Sequence, residues 1–104
     1  MIYVKLYKNN KGYFHKYTIE GHANYAEYGK DVVCAGVSAL GQSVLLTLES
    51  LSKTMEYEIY NGWLSVSVTD VEEKETQTLF KLLEIGVKAI EGTTPNNIKV
   101  TKAP

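Results

Sequence analysis

Asn61-Gly62 stands between two runs in which apolar and polar residues alternate. An Asn-Gly pair flanked by such runs is the strongest short-range signal of a β-hairpin, and it predicts a two-residue loop in a type I′ turn. A two-residue loop also fixes which residues face each other, so the pattern can be checked against the register. The predicted pairs place apolar partners on a shared face: Tyr60 with Trp63, Ile59 with Leu64, and Tyr57 with Val66.

The N-terminal part of the chain also alternates. Residues 2–7 place Ile2, Val4 and Leu6 on one face, which indicates a half-buried strand. A polar loop at 8–12 separates this run from a second predicted strand at 13–20, and a short strand is predicted at 97–101. The second strand is expected to place four side chains on one face: Tyr13, His15, Tyr17 and Ile19.

Helical periodicity begins after Asp31, a favourable N-cap residue, and extends to about residue 51. The apolar stripe of this first helix comprises Val33, Val37, Leu40, Val44, Leu48 and Leu51. Other apolar residues lie off the stripe, at Val32, Leu45 and Leu46. The helix is therefore expected to be buried on more than one side.

A second helix is predicted with Asp70 as its N-cap and Glu73 completing a variant of the capping box. It extends to about residue 91, where Gly92 is expected to end it and Pro95 to block its continuation. Its buried stripe is predicted to contain Leu79, Leu83, Gly86, Val87 and Ile90.

These elements follow one another in the order ββαββαβ. The order predicts an α+β fold in which two helices pack on a mostly antiparallel sheet, an α/β sandwich. An arrangement with the first helix enclosed between two layers also satisfies the order. At 104 residues the chain is expected to form a single domain, 1–104.

The composition argues against several classes of function. Lys and Arg number 11 and Asp and Glu 12, for a net charge of −1 without a basic stripe, so direct nucleic-acid binding is not expected. A single cysteine excludes an internal disulfide and suits a reducing cytoplasm. One cysteine and two histidines are too few for a zinc site, and no cofactor is predicted. No apolar run is expected to be long enough to span a membrane, so no membrane partner is predicted.

The only cysteine lies at the start of the first predicted helix. With Asp31 as N-cap, Cys34 occupies the third helical position, where unpaired N–H groups and the helix dipole favour a thiolate. His22 lies upstream, in an irregular segment bounded by Gly21 and Gly29 that can fold back over the helix start. From spacing alone, the arrangement is either a nucleophile with its base or a core cysteine beside a turn.

The string GHANYAEYGKDVVCAGVSAL, residues 21–40, resembles the signature of the ribosomal processing cysteine protease family (Prp, the YsxB-like proteins). The matching positions are Gly21, His22, Gly29, Asp31, Val33, Cys34, Ala35 and Ser38. The resemblance implies a cytoplasmic cysteine endopeptidase that removes the N-terminal extension of a large-subunit ribosomal protein. It also implies a homodimer.

Peptide cleavage by a thiol assigns a role to each residue of the motif. Cys34 is the expected nucleophile and His22 the general base, with the backbone N–H of Cys34 as an oxyanion donor. Asp31 either caps the helix or orients His22. Ser38 shares a face with Cys34, and it either donates to the thiolate or to a substrate carbonyl, or bonds its own helix backbone.

Candidate substrate-binding residues lie in the irregular segment 21–30. Tyr25 and Tyr28, between Gly21 and Gly29, either cover a bound peptide or pin the segment to the domain. Loops of about this length are often functional. The segment is therefore expected to order over a bound peptide.

Two alternative functions keep the same fold. A non-catalytic ribosome assembly factor would tolerate the loss of Cys34 and His22. A thiol-based redox sensor would show reversible oxidation of Cys34 without peptide cleavage. Because the chain has no second cysteine, such a sensor would need a thiol from a partner.

Overall fold

The computed structural model describes residues 1–21 and 30–104, and of Lys30 and Asp31 it describes the backbone alone. The elements are β1 (Ile2–Lys8), β2 (Phe14–Glu20), α1 (Lys30–Ser50), β3 (Met55–Tyr60), β4 (Trp63–Val68), α2 (Lys74–Thr93) and β5 (Ile98–Ala103). The predicted order ββαββαβ and the α+β class are confirmed.

The five strands form one sheet in the order β3-β4-β2-β1-β5. β1 pairs antiparallel with β2 and parallel with β5, and β4 pairs antiparallel with both β2 and β3. The sheet is therefore mostly antiparallel, as predicted. The first hairpin lies beside the second in space, which places β2 next to β4 and leaves β3 and β5 at the edges.

The β3–β4 hairpin has the predicted register but not the predicted turn. Tyr60 faces Trp63, Ile59 faces Leu64 and Tyr57 faces Val66. Gly62 has a φ of 77°, and among the described non-glycine residues only Ser52 has a positive φ. A type I′ turn needs a positive φ at both central residues, so the signs at Asn61 and Gly62 are those of a type II turn.

A β-bulge corrects the predicted face of β2. Tyr7 pairs with Lys16, but the next residue of β1, Lys8, pairs with Phe14, so His15 has no partner of its own. One extra residue reverses the alternation beyond the bulge. Phe14 is therefore buried, and the prediction that Tyr13 and His15 share one face with Tyr17 and Ile19 is wrong.

Both helices lie on one side of the sheet. The inward-facing residues of β1, Ile2, Val4 and Leu6, are buried beneath them, whereas Tyr3 on the opposite face is 51% exposed. The arrangement in which the first helix is enclosed between two layers is therefore wrong.

α1 buries a single stripe rather than several sides. Val33, Val37, Val44 and Leu48 are buried as predicted, together with Leu45. Val32 and Leu46 are exposed, so the expectation of burial on more than one side is wrong. By length and composition alone, Val32–Ser50 would suffice to cross a membrane, contrary to the prediction; such a test is also passed by the core helices of soluble proteins.

A close approach of α1 to the sheet fixes the helix in place. A Cβ added at Gly41 would overlap Cδ1 of Ile19 and lie 3.0 Å from Cδ2 of Leu64. The Tyr17 hydroxyl donates a hydrogen bond of 2.7 Å to the Gly41 carbonyl, and burial raises the pKa of this phenol well above its ordinary value. Glycine at this position lets the helix backbone rest on β2 and β4.

α2 begins four residues after the predicted N-cap. Asp70 instead begins a turn, in which the N–H of Glu73 donates a hydrogen bond to the Asp70 carbonyl. Glu73 is the observed N-cap, without a side-chain cap bond, because its carboxylate accepts from Lys53 Nζ at 2.7 Å. The helix continues through Gly92 to Thr93, so the predicted stop at Gly92 is also wrong.

Glu84 is a buried carboxylate that joins α2 to β5. Its side chain is 2% exposed, and its oxygens lie 2.8 Å from Lys81 Nζ, 2.7 Å from Lys102 Nζ and 3.5 Å from Lys88 Nζ. Burial alone would raise the pKa of this carboxyl, but hydrogen bonds from Lys102 and Lys81 and the charge of Lys88 lower it to about 2.

Candidate active site

A cavity of about 270 Å³ lies between α1 and the tip of the β3–β4 hairpin. α1 contributes a thiol, a hydroxyl and a carboxamide, and the sheet contributes mainly apolar side chains and the turn. The lining residues are Ile19, Gly21, Cys34, Ser38, Gln42, Ile59, Tyr60, Asn61, Gly62, Trp63 and Leu64.

Cys34, Ser38 and Gln42 follow one another at intervals of four residues along α1, and all three line the cavity. This spacing places side chains on one face of a helix, one turn apart. The predicted proximity of Cys34 and Ser38 is thus observed, and both side chains are half-buried. Gln42 was not predicted as a site residue, although extending the same spacing by one turn would have identified it.

The start of α1 differs from the prediction in a way that affects the chemistry. α1 begins at Lys30, so Asp31 is helical and its assignment as N-cap is wrong. A carboxylate is also favourable in the first turn, near the positive end of the dipole, which is why the sequence does not separate the two positions. Cys34 is then the fifth helical residue rather than the third.

This shift removes one predicted catalytic group. In an α-helix the N–H of the fifth residue faces the carbonyl of the first, here that of Lys30. The unpaired amides of the helix belong to residues before Val33. The predicted role of the Cys34 N–H as an oxyanion donor is therefore not supported.

Gly21 lies where β2 meets the cavity, and its conformation requires glycine. Its φ is 103°, in the region that side chains disfavour. A Cβ at this position would overlap the Met1 carbonyl oxygen. The Gly21 N–H donates a 3.0 Å hydrogen bond to the Gly62 carbonyl, so the residue ties the end of β2 to the hairpin tip.

The remaining predicted residues of the motif lie outside the described part of the chain. They are His22, Tyr25, Tyr28, Gly29 and the side chain of Asp31. The other histidine, His15, is described, and its ring packs against Tyr7 with the centroids 6.0 Å apart. It lies six residues before Gly21, which is roughly 20 Å along an extended strand.

The apolar side of the cavity was not predicted. Ile19 and Leu64 form a buried floor, and Ile59, opposite Leu64 in the hairpin, is 50% exposed. The sequence indicated the hairpin and the helix separately. It carried no signal that the hairpin turn lies beside the start of α1, because that depends on strand order.

Within residues 1–21 and 30–104, no three His, Cys, Asp or Glu side chains are grouped to hold a metal ion. The model of the family described as "Cysteine protease Prp" matches residues 1–99. The chain belongs to this family. The expected resemblance to Prp is thereby confirmed, and the chain is a cysteine protease by class.

Prp proteins with the same fold have been solved with peptides bound. The ribosomal processing cysteine protease Prp of Staphylococcus aureus (strain Mu50 / ATCC 700699) is 28% identical over 103 residues, which cover 96% of this chain and 97% of that protein. A structure of S. aureus Prp with a substrate peptide has a TM-score of 0.91 at 26% identity, over 98% of this chain and 99% of that one. A second, with a covalently linked product peptide, has a TM-score of 0.88 at 27% identity, over the same 98% and 99%.

Proposed function

We propose that the chain is an endopeptidase that removes the N-terminal extension of a large-subunit ribosomal protein, with Cys34 as nucleophile and His22 as general base. The position of the only cysteine carries this proposal. A cysteine protease needs a thiol nucleophile, and the single cysteine of this chain lines the cavity between α1 and the hairpin. The S. aureus relative is a ribosomal processing protease, which supports the class of substrate.

Geometry favours His22 over the other histidine as the base. His15 lies at the far end of β2, at the bulge and against Tyr7. His22 directly follows Gly21, which lines the cavity together with Cys34. A general base must come within hydrogen-bond reach of the proton that it removes, and the position of His15 argues against that role.

The reaction follows the usual course of thiol-dependent peptide hydrolysis. The Cys34 sulfur attacks the scissile carbonyl, and His22 takes the thiol proton and delivers it to the leaving amine. The resulting thioester is then hydrolysed by a water that His22 activates, and the thiol is released. Ser38, one turn along the same cavity wall, is proposed to donate a hydrogen bond to the substrate carbonyl.

The roles of the neighbouring residues complete the proposal. Asp31, whose backbone lies in the first turn of α1, is proposed to orient His22. Gly21, Tyr25, Tyr28 and Gly29 are proposed to contact the bound peptide. The chain is further proposed to act in the cytoplasm as a homodimer, without direct contact to nucleic acid.

Incubation with the ribosomal precursor, read by intact-mass spectrometry, tests the function. The wild-type protein should release the extension in one cut. Cys34→Ala and His22→Ala should each lower the rate by several orders of magnitude, because nucleophile and base act as a unit. His15→Ala is the matched control and should cleave at close to the wild-type rate.

The same assay separates the alternatives. A wild-type protein that binds the precursor without cutting it would indicate an assembly factor. Reversible oxidation of Cys34 without cleavage would indicate a sensor. If His15→Ala and His22→Ala lost activity equally, or if Cys34→Ala still cut, the assigned roles would be wrong.

A further inference from the structure

β3 lies at one edge of the sheet. In the described part of the chain it pairs with β4 alone. Native edge strands are usually blocked by charged side chains, especially lysine, by proline, by a bulge or by a covering segment, because their free backbone groups invite another strand. The sequence of β3, MEYEIY, has no lysine or proline, and its register with β4 is regular over all six pairs.

The register identifies which backbone groups are free. In a hairpin with a two-residue loop, the residues that flank the loop exchange both hydrogen bonds, and this pattern repeats at every second pair. Tyr60 and Trp63 flank the loop. The N–H of Thr69 donates a 3.2 Å hydrogen bond to the Thr54 carbonyl, as the same alternation of hydrogen-bonded pairs requires. The N–H and carbonyl groups of the alternate residues therefore point to the free edge.

These alternate residues, Met55, Tyr57 and Ile59, also carry the apolar side chains of β3. They share the helix side of the sheet with Leu64, Val66 and Val68. Tyr57 is 49% exposed and Ile59 is 50% exposed, because α1 lies over β2 and β4 rather than over β3. Ile59 also lines the cavity that contains Cys34, so the exposed apolar strip leads into the candidate active site.

We propose that the free edge of β3 binds the substrate by strand addition. The bound segment is an extended peptide that pairs with the backbone of Tyr57 and Ile59, with alternate apolar side chains toward α1. Its intervening side chains face the same way as Glu56 and Glu58, both exposed and negative, so neutral or basic residues fit there. This inference rests on the proposed protease function and specifies how its substrate is recognised.

The charges of β3 favour a peptide over a second copy of this chain. Pairing of β3 with itself would keep the two sheet faces aligned and bring Glu56 and Glu58 of both copies together on one face. Like charges on neighbouring strands destabilise such pairs. A peptide with basic or neutral residues at these positions avoids the repulsion.

The test uses the catalytically silent Cys34→Ala variant and a fluorescent peptide that spans the extension of the ribosomal precursor. Each backbone amide of the peptide is methylated in turn, and the Kd is measured by fluorescence anisotropy. Methylation at every second amide across the paired segment should raise the Kd about three- to tenfold, and methylation at the amides between should change it less than twofold. A response without this period of two would overturn strand addition.

Matched isoleucine variants test the location. Ile59→Ser should raise the Kd of the unmodified peptide several-fold. Ile85→Ser, on α2 with an exposed fraction of 59% against 50% for Ile59, should leave the Kd unchanged. Both side chains are half-exposed, so neither variant should unfold, as thermal melting will check. Equal weakening by both variants would refute the assignment to β3.

Two further outcomes have distinct meanings. A peptide that shows the period of two but is not cut by the wild-type protein would support the edge site and contradict the protease proposal. Sedimentation of the wild-type protein and of Ile59→Ser tests the second copy as occupant. Loss of dimers in Ile59→Ser with an unchanged Kd for the peptide would show that a second chain occupies β3 and would overturn the inference.

Discussion

Gly36 and Gly41 provide a paired test of how closely α1 packs on the sheet. Both lie inside α1, so replacement by alanine should give each variant the same gain in helix propensity, about 1 kcal/mol. Among the described residues, a Cβ at Gly36 would meet only Cδ1 of Ile90, at an ordinary 3.6 Å. A Cβ at Gly41 would overlap Cδ1 of Ile19, which is buried, and crowd Leu64.

The magnitudes follow from these contacts. Gly36→Ala should stabilise the protein by up to about 1 kcal/mol. Overpacking at Gly41 should cost about 1–3 kcal/mol against the same gain, so Gly41→Ala should be up to about 2 kcal/mol less stable than wild type. The two variants should then differ by about 1–3 kcal/mol, or at least about 4 °C in Tm for a domain of this size.

Urea unfolding followed by circular dichroism gives both free energies of unfolding. The double variant Ile19→Val/Gly41→Ala provides the internal check, because valine lacks the Cδ1 atom that the new Cβ would meet. Ile19→Val alone should destabilise by about 1 kcal/mol, and in the Gly41→Ala background this loss should vanish or reverse. Equal stability of Gly36→Ala and Gly41→Ala, with additive effects of Ile19→Val, would refute the close approach of α1 to β2.

Two other substitutions test the fold around the site. Glu84→Gln should lower the free energy of unfolding at pH 7 by about 1–3 kcal/mol. The pKa of about 2 sets the upper end of this range, and the exposure of the lysine partners lowers the expected loss. Because the pKa of Glu84 is lower in the folded than in the unfolded protein, its contribution to stability is present above about pH 4.5 and is lost as the pH falls toward 2. The free energies of unfolding of both proteins, measured by urea titration, should therefore converge at low pH. Gly21→Ala should lower both Tm and the rate of precursor cleavage, since its φ of 103° and the Met1 carbonyl exclude a side chain; wild-type values for both would contradict the role of Gly21 as the junction between β2 and the hairpin.

Local patterns in the sequence predicted the elements well because those patterns act within a few residues. The alternation around Asn61-Gly62 fixed the register of the hairpin, and the apolar stripe fixed the buried side of α1. The turn type was wrong because Asn adopts either sign of φ, so the residue pair alone does not determine the turn. The prediction that Val32 and Leu46 are buried was wrong because the hydrophobicity of a residue does not report how many side chains pack around it.

Errors at the ends of elements came from long-range partners. Asp70 and Glu73 have the composition of a capping box, but Lys53 binds the Glu73 carboxylate from the segment before β3. At the site, Cys34 and Ser38 were found together because they share a helix. Ile59 and Leu64 were missed because only the order of the strands brings the hairpin beside α1.

The width of the two layers explains why a cleft forms at this edge of the sheet. Strands are about 4.8 Å apart, so five strands span about 24 Å, whereas two helices packed side by side cover about 20 Å. One edge strand must therefore remain uncovered on its inner face. β5 is covered, since Ile98 is 1% exposed and Glu84 of α2 binds Lys102. In the described part of the chain, the exposed edge strand is β3, at Tyr57 and Ile59. The helix layer ends at α1, and Cys34 on this helix therefore lies beside an apolar strand that has free backbone groups. A third helix or a four-stranded sheet would cover this strand, so the mismatch between five strands and two helices leaves room for the extended peptide that we propose as substrate.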